Sequence, residues 1–139
     1  MNSLNRFADP VFCIMRFLVG LMFFCHGAQK ILGWFAAPQQ PAGGSLPPLM
    51  LVGGWIELVC GLLVAFGLFT RIAAFIASGE MAYGFFFMHV AGSGSLIPIV
   101  NKGEAAVLYC WIFLFIFFHG PGSWSIDALM NRGKAATTP

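Results

Sequence analysis

Four long apolar stretches limit what this chain can fold into more than any other feature. They cover residues 11–33, 49–69, 72–90 and 105–119. A helix needs roughly 20 residues to cross a hydrocarbon core of about 30 Å, so each stretch is at or near the length of a membrane span. The chain is 59% hydrophobic and only 9% charged, which leaves too little polar surface for a soluble domain. The sequence therefore predicts an all-α membrane protein, embedded in the lipid bilayer as a bundle of four transmembrane helices.

The segments between the apolar stretches predict the connections. Proline and glycine recur in FAAPQQPAGGSLPP at 35–48 and break any helix there. GLFTRI at 67–72 is typical of a tight turn, and AGSGSLIPIVNKGE forms the third connection at 91–104.

A Gly-Pro-Gly break at 120–122 ends the last span. We expect a short interfacial helix around 124–130 after it, followed by a frayed end. The predicted organisation is an N-terminal segment at 1–10, a transmembrane domain at 11–120 and an interfacial tail at 121–139.

The positions of lysine and arginine predict the orientation. Arg6 precedes the first span, Arg71 lies in the second connection, and Arg132 and Lys134 lie in the tail. The first connection carries no charge and the third only Lys102. Because short cytoplasmic segments are enriched in Lys and Arg, both termini are expected in the cytoplasm. The net charge of +2 is spread along the chain, which argues against a nucleic-acid partner.

Five ionisable residues within the apolar stretches are the candidate functional residues. A charged side chain at the centre of a bilayer costs about 2.5–3.5 kcal/mol, so it rarely faces lipid. In the predicted topology His26 and Glu57 lie at similar depths, and Glu80 lies near the midplane. We therefore expect the polar groups of the first helix, Arg16, His26 and Lys30, to point inward and meet Glu57 and Glu80.

Helical periodicity supports the prediction that these ionisable side chains point into the bundle. His26 and Lys30 are four residues apart and share one helical face. Glycines lie on the same faces as the ionisable residues and allow close helix approach. They are Gly20 and Gly27 on the first helix, Gly53 and Gly61 around Glu57, and Gly84 four residues after Glu80.

Two interpretations of this polar set stay open, structural ion pairs or a functional site. Local explanations exist for the residues near the membrane rim. Lys30 can extend to the interface, His89 is an ordinary polar boundary, and Glu104 is a first-turn acid favoured by the helix dipole. His119 before Gly-Pro-Gly is what a helix C-terminus attracts.

Three segments of the chain resemble the DoxX family of small bacterial membrane proteins with four transmembrane helices. They are RFLVGLMFFCHGAQKILGWF, GGWIELVCGLLVAFGLFTRIAAFIASGEMAYGFFFMH and NKGEAAVLYCWIFLFIFFHGPGSWSID. The resemblance implies a multi-pass protein of the bacterial inner membrane. Glu80 fits the family picture by location, and the positions that match the family pattern are Arg16, His26, Lys30, Glu57, Arg71, Glu104 and Asp127.

Redox chemistry at the membrane is what the resemblance implies about function. The family takes its name from a relative associated with thiosulfate:quinone oxidoreductase, so we expect a quinone-interacting subunit of a membrane oxidoreductase complex. His26 would then protonate a quinone oxygen and Glu57 would relay protons, which makes these two the catalytic candidates. Arg16, Lys30 and Glu80 would bind the quinone, and Arg16 or Lys30 would stabilise the negative charge that reduction places on it.

The sequence predicts neither a metal nor a flavin. It has no nucleotide-binding glycine fingerprint and no iron-sulfur cysteine cluster, and its four cysteines lack metal-ligand spacing. Electrons must then come from a redox partner protein or directly from a small donor.

A second interpretation is not enzymatic. The chain would be a transport or accessory module that binds a small solute or a proton through Arg16, His26 and Glu57. Four helices are few for alternating access in a monomer, so this interpretation requires a homo-oligomer.

Overall fold

The computed structural model describes residues 2–136, with side chains over 4–133, and is entirely helical in its regular elements over that range. Met1 and residues 137–139, which belong to the predicted terminal segments, lie outside the described residues, as does the side chain of Lys134. Five longer helices form the fold: α1 (Ala8–Leu32), α2 (Pro48–Phe66), α3 (Thr70–Ser93), α4 (Glu104–His119) and α5 (Ile126–Ala136). Short helical turns occur at Asn2–Asn5, Gly43–Ser45 and Pro98–Asn101.

Three of these helices are long and apolar enough to cross a membrane. They are α1 with 25 residues, α2 with 19 and α3 with 24. Helix α4 is apolar but has 16 residues, which at 1.5 Å per residue gives a length of about 24 Å. The prediction of an all-helical membrane fold is therefore confirmed for three spans, whereas a fourth crossing by α4 and the orientation of the termini stay predictions.

The tight turn predicted between the second and third helices is present. Gly67 and Phe69 both adopt left-handed backbone conformations there, with φ of 69° and 47°. Glycine reaches this region freely, whereas Phe69 must be held in it by its surroundings.

Two helix boundaries differ from the sequence prediction. Helix α3 continues beyond residue 90 because Phe85–Val90 forms a π-helical segment that joins a last α-helical turn. The tail helix begins at Ile126 and continues to Ala136, so the predicted fraying after residue 130 is wrong over the described residues. Ser125 starts this helix, since the Ala128 N–H donates to its Oγ at 3.1 Å, and good helix formers continue it.

Helices α1 and α2 pack through glycine, as the sequence predicts. A β-carbon at Gly20 would collide with the backbone of Ala65, and one at Gly27 would collide with the backbone of Leu58. From the other side, a β-carbon at Gly61 would collide with the backbone of Phe24. The two backbones approach this closely only because these positions lack side chains.

Helices α3 and α4 form the second close pair. Ala73, Ala74 and Ala77 are fully buried, and the Ser78 hydroxyl donates to the Cys110 carbonyl at 2.9 Å. Buried aromatic rings then join the two pairs, and the ring centroids of Phe23 on α1 and Phe113 on α4 lie 4.7 Å apart. The outer surface is apolar, as a bilayer requires, with exposed side chains that include Val52, Phe75, Trp111 and Phe118.

Candidate functional site

A cavity of about 650 Å³ lies at one end of the bundle and is lined by all four long apolar helices. The second half of α1, the first half of α2, the part of α3 from Ile76 to His89 and the start of α4 contribute to it. Its wall is mainly apolar, with Phe23, Leu49, Ile56, Met88 and Ala106 among the lining residues. This volume and this lining are typical of small-molecule sites in proteins.

The structure brings four of the five predicted site residues to this cavity. His26 and Lys30 reach it from α1, Glu57 from α2 and Glu80 from α3. The shared faces inferred from helical spacing therefore do converge on one place.

Lys30 and Glu57 form an ion pair across the α1–α2 interface. The Lys30 Nζ lies 2.7 Å from the Glu57 Oε1, and the two side chains are 30% and 5% exposed. Gly54 makes room for the lysine, because a β-carbon at this position would stand 3.1 Å from the Lys30 Cβ. Lys30 binds one oxygen of the carboxylate and does not bind the other, Oε2.

Three buried polar atoms on cavity-lining residues have no hydrogen-bond partner within the described part of the chain. They are the Glu57 Oε2, the Glu80 Oε2 and the Tyr109 hydroxyl. A buried polar group without a partner costs about 1–3 kcal/mol, and native proteins leave few of them. All three atoms belong to residues that line one cavity, which points to a ligand or water there that completes their hydrogen bonds.

Glu80 lies against the backbone of α2. A β-carbon at Gly53 would stand 2.8 Å from the Glu80 Oε1, so glycine at this position leaves room for the carboxyl group. Over residues 4–133 the only ion pair is that between Lys30 and Glu57. The ionisable groups that line the cavity include the carboxyls of Glu57 and Glu80, the amine of Lys30 and the imidazoles of His26 and His89.

Tyr109 was not among the sequence candidates. Its ring stands edge-on to His26, with centroids 6.0 Å apart and an interplanar angle of 89°. A signal was available, because the chain has only two tyrosines. Both Tyr83 and Tyr109 lie in predicted spans and line the cavity.

His89 also lines the cavity, so its interpretation as a polar boundary was incomplete. It lies in the π-helical segment of α3, a feature that often occurs at functional sites. The His89 Nδ1 is 3.0 Å from the Asn101 carbonyl oxygen. Since a carbonyl oxygen only accepts, Nδ1 donates, and in the neutral imidazole Nε2 is left as an acceptor.

Arg16 lies at the opposite end of the bundle, and the expectation that it meets Glu57 and Glu80 is wrong. Its guanidinium donates to the carbonyl oxygens of Ala65 at 3.3 Å and Trp124 at 2.8 Å, and also to that of Pro121. Arg16 and Lys30 do share a face of α1, but fourteen residues correspond to about 21 Å along the axis. The Arg16 Nε is buried without a partner in the described chain, beside a smaller cavity of about 300 Å³.

Arg16 belongs to a group that we call the tail cluster, defined as Asp9, Arg16, Thr70, Ser123 and Asp127. The Asp127 carboxylate accepts from the N–H of Phe69 at 2.9 Å, the N–H of Thr70 at 2.9 Å and the Thr70 hydroxyl at 2.7 Å. It therefore caps the start of α3 from a distant part of the chain. Burial opposes ionisation, but the hydrogen bonds from Thr70 and Phe69 together with the Arg16 charge hold the pKa of the Asp127 carboxyl below its usual range.

The remaining contacts of the tail cluster fix α1 to the tail. The Asp9 carboxylate accepts from the backbone N–H of Ser123 at 3.2 Å and from its hydroxyl. Beside it, Arg71 donates to the carbonyls of Phe117 and Phe118 at the end of α4. Arg71 and Asp127, two positions of the family pattern, thus make contacts that hold helix ends together.

The sequence of this chain is similar to one family model and to several known proteins. The DoxX family model matches residues 11–90. A Haemophilus influenzae protein described as uncharacterized is 45% identical, and the alignment covers 83% of this chain and 87% of that protein. An uncharacterized membrane protein of Mycobacterium tuberculosis is 40% identical over 46% of this chain and 41% of its own length.

A Bacillus subtilis protein named "Putative oxidoreductase CatD" is 39% identical over 66% of this chain and 87% of its own length. No solved structure matches the chain.

Proposed function

Because this chain belongs to the DoxX family of membrane proteins, we propose that it is a redox subunit of a membrane complex and binds a quinone in the cavity. The observation that carries the proposal is that three residues lining one mainly apolar cavity each bury a polar atom without a partner among the residues described. The name of the Bacillus subtilis relative, "Putative oxidoreductase CatD", supports the redox assignment.

The lining suits a flat apolar ring with polar edges. Phe23, Ile56 and Met88 provide apolar contact for the ring. The Tyr109 hydroxyl, which lacks a partner among the described residues, would donate to a quinone oxygen. The Glu57 Oε2 and Glu80 Oε2 would accept hydrogen bonds from the hydroxyl groups of the reduced form.

A bound quinone supplies chemistry that takes up two electrons and two protons. The residues of this chain hold and move the protons. Lys30 fixes the Glu57 carboxylate through Oε1, which leaves Oε2 to exchange a proton at the cavity. His26 and Glu80 are the second and third groups at the cavity that can exchange protons.

The wider setting is part of the proposal. The chain is a multi-pass protein of the bacterial inner membrane, in which α4 forms the fourth span and both termini face the cytoplasm. Residues 1–10, 11–120 and 121–139 are its N-terminal segment, transmembrane domain and interfacial tail. Electrons reach the quinone from a partner protein of the complex that carries its own redox group.

The charge of the cavity favours a second candidate function. Two carboxyls face one ammonium there, and this excess of acceptors suits a small protonatable solute. The chain would then be a non-enzymatic transport or accessory module that works as a homo-oligomer. Solute binding without quinone binding distinguishes this candidate from the first.

Quinone content of the purified protein tests the proposal. We expect the wild type in mild detergent to retain close to one quinone per chain, measured by solvent extraction and mass spectrometry. Glu57→Gln should reduce that content at least about tenfold, because it removes an acceptor and alters the ion pair with Lys30.

Glu104→Gln is the matched control, since Glu104 is exposed and does not line the cavity. It should retain the wild-type quinone content. A wild type without quinone, or equal contents in all three proteins, would overturn the proposal.

A further inference from the structure

We propose that the cavity opens sideways into the hydrocarbon of the bilayer through a gap between α2 and α3. We call this gap the portal and define it by Val52, Ile76, Gly79, Tyr83 and Gly84. The ligand is accordingly a tail-bearing amphiphile dissolved in the membrane, whose polar ring enters while its tail stays in lipid. This inference rests on the proposed function and specifies the class of substrate that the site accepts.

The lining residues of α2 and α3 form two facing stripes. Leu49, Val52 and Ile56 recur at helical spacing on α2, and Ile76, Glu80 and Tyr83 do so on α3. Some of these side chains both line the cavity and face outward. Val52 is 57% exposed, and Ile76 and Tyr83 are each 43% exposed. A residue that is at once lining and exposed marks the rim of an opening.

Gly79 and Gly84 line the cavity without any packing reason to be glycine. Apart from their own helix, no described heavy atom lies within 4 Å of the place where a β-carbon would stand at either position. Neither has the positive φ that would demand glycine. Glycine is less favourable than alanine inside a helix, so these two residues cost helix stability. What they provide is open space between α2 and α3.

The glycines between α1 and α2 show the contrast. A β-carbon at Gly27 or Gly61 would collide with the neighbouring backbone, so packing explains them. Packing does not explain Gly79 and Gly84, because a β-carbon at either position would meet open space. We therefore attribute these two glycines to the gap itself.

Buried polar atoms lie behind the gap. Glu57 is 4% exposed, and its Oε2 has no hydrogen-bond partner among the described residues that surround it. The Glu80 carboxyl lies against Gly53, between the stripes of α2 and α3. A polar ring that enters through the portal therefore meets carboxyl oxygens, while the exposed rim stays apolar.

Between α1 and α4, aromatic side chains fill the corresponding edge. The ring of Phe23 lies 5.4 Å from that of Tyr109 and 4.7 Å from that of Phe113, measured between centroids. Aromatic packing thus occupies the side between α1 and α4, whereas Gly79 and Gly84 leave space on the side between α2 and α3.

Leucine substitutions in the portal test this inference. The full-length chain is reconstituted in phosphatidylcholine nanodiscs, and binding is measured for two benzoquinones with the same ring, one with a decyl tail and one without a tail. Gly79→Leu and Gly84→Leu should weaken binding of the decyl probe at least about tenfold, because the added side chain occupies the path of the tail. The tail-free probe should lose several-fold less.

Gly92→Leu is the matched control, because Gly92 also faces open space on α3 but does not line the cavity. It should bind both probes as the wild type does. Thermal unfolding verifies that the leucine variants fold, and their melting temperatures should equal or exceed that of the wild type.

Three outcomes would count against one proposal or the other. Portal variants that bind the decyl probe as tightly as the wild type would overturn the portal and leave the quinone site intact. An equal loss of affinity for both probes would also overturn the portal, because the leucine would then block the cavity and not the path of the tail. A wild type that binds neither probe would overturn the proposed function itself.

Discussion

At one end of the bundle the Arg16 guanidinium donates to three backbone carbonyls, whereas at the other end Glu57 and Glu80 each bury an oxygen without a partner in the described chain. Both ends place ionisable groups from several helices close together. In the tail cluster those groups bond to hydroxyl and backbone groups at the ends of helices. Around the cavity, among the described residues, only Lys30 and Glu57 form an ion pair, and three buried polar atoms have no partner.

The difference between the two ends shows two roles for ionisable residues in a membrane protein, structural support and ligand binding. The Arg16 Nε is the exception in the tail cluster, since it too lacks a described partner. Elsewhere in the cluster the hydrogen bonds connect α1, α2, α3 and the tail, which is a structural task. An incomplete set of hydrogen bonds around a cavity costs stability unless a ligand completes it, and this is a property of binding sites.

The largest expected effect on stability comes from Arg16→Met. The change leaves the carbonyls of Pro121, Trp124 and Ala65 without their donor, and we expect a loss of about 3 kcal/mol or more in the free energy of unfolding. Thermal or denaturant unfolding in detergent measures it. Quinone affinity of the folded fraction should stay unchanged, because Arg16 does not line the cavity.

Arg6→Met is the control for this change. Arg6 is exposed and stacks on Phe7, so its replacement should alter stability little. Arg16→Met could instead leave stability normal and abolish quinone binding. That result would contradict the assignment of structure to the tail cluster and of binding to the cavity.

Asp127→Ala is expected to cost about 2 kcal/mol. The alanine removes the acceptor for the N–H groups of Phe69 and Thr70, so the start of α3 loses its cap. Equilibrium unfolding compares it with the wild type. An unchanged stability would show that the cap contributes nothing and would weaken the structural interpretation of the tail cluster.

The same carboxylate predicts a pH dependence. Its pKa in the folded state lies below the ordinary value of 3.8, so its contribution is fully present well above pH 3.8 and is lost as the pH falls through the folded-state pKa. The difference in free energy of unfolding between wild type and Asp127→Ala should become smaller as acid unfolding begins. A difference that grows on acidification would contradict the lowered pKa of Asp127.

Tyr109→Phe tests the binding role of the cavity. It removes one hydroxyl that has no partner in the described chain, so the protein should unfold at the same or a higher temperature. Quinone affinity should fall about tenfold, which corresponds to about 1.4 kcal/mol. Tyr83→Phe makes the same change at the rim of the portal, where the side chain is 43% exposed, and should lower quinone affinity less. Equal affinities in both variants would remove Tyr109 from the site.

The smallest expected effects have the opposite sign. Gly79→Ala and Gly84→Ala should each raise the free energy of unfolding by about 0.5–1 kcal/mol, because alanine favours the helix and meets open space. Gly61→Ala should destabilise the fold instead, since its β-carbon meets the Phe24 backbone. Destabilisation by all three would mean that the gap at the portal is a packed interface.

Sequence reasoning found most of the fold because length and polarity alone reveal apolar helices. The helices at 8–32 and 48–66 fall within a few residues of the predicted stretches. The π-helical segment of α3 and the full length of α5 were not predictable in this way. The first is a local change of hydrogen-bond register, and the second depends on a cap from Ser125.

The candidate site was predictable in part for a related reason. Spacing identified the faces of His26, Lys30, Glu57 and Glu80, which the structure places around one cavity. A shared face does not fix depth, however, and so Arg16 was assigned to partners at the wrong end. Its true partners are backbone carbonyls, which carry no signature in a sequence.

One pair of matched substitutions tests the contrast between the two ends most directly. Glu80→Gln and Asp127→Asn make the same change, carboxyl to amide, at the cavity and in the tail cluster. Bound quinone per folded chain and melting temperature are measured for both. We expect Glu80→Gln to lose quinone and keep its melting temperature, and Asp127→Asn to keep quinone and melt at a lower temperature. The opposite pattern, or the same pattern in both variants, would contradict the assignment of binding to one end and structure to the other.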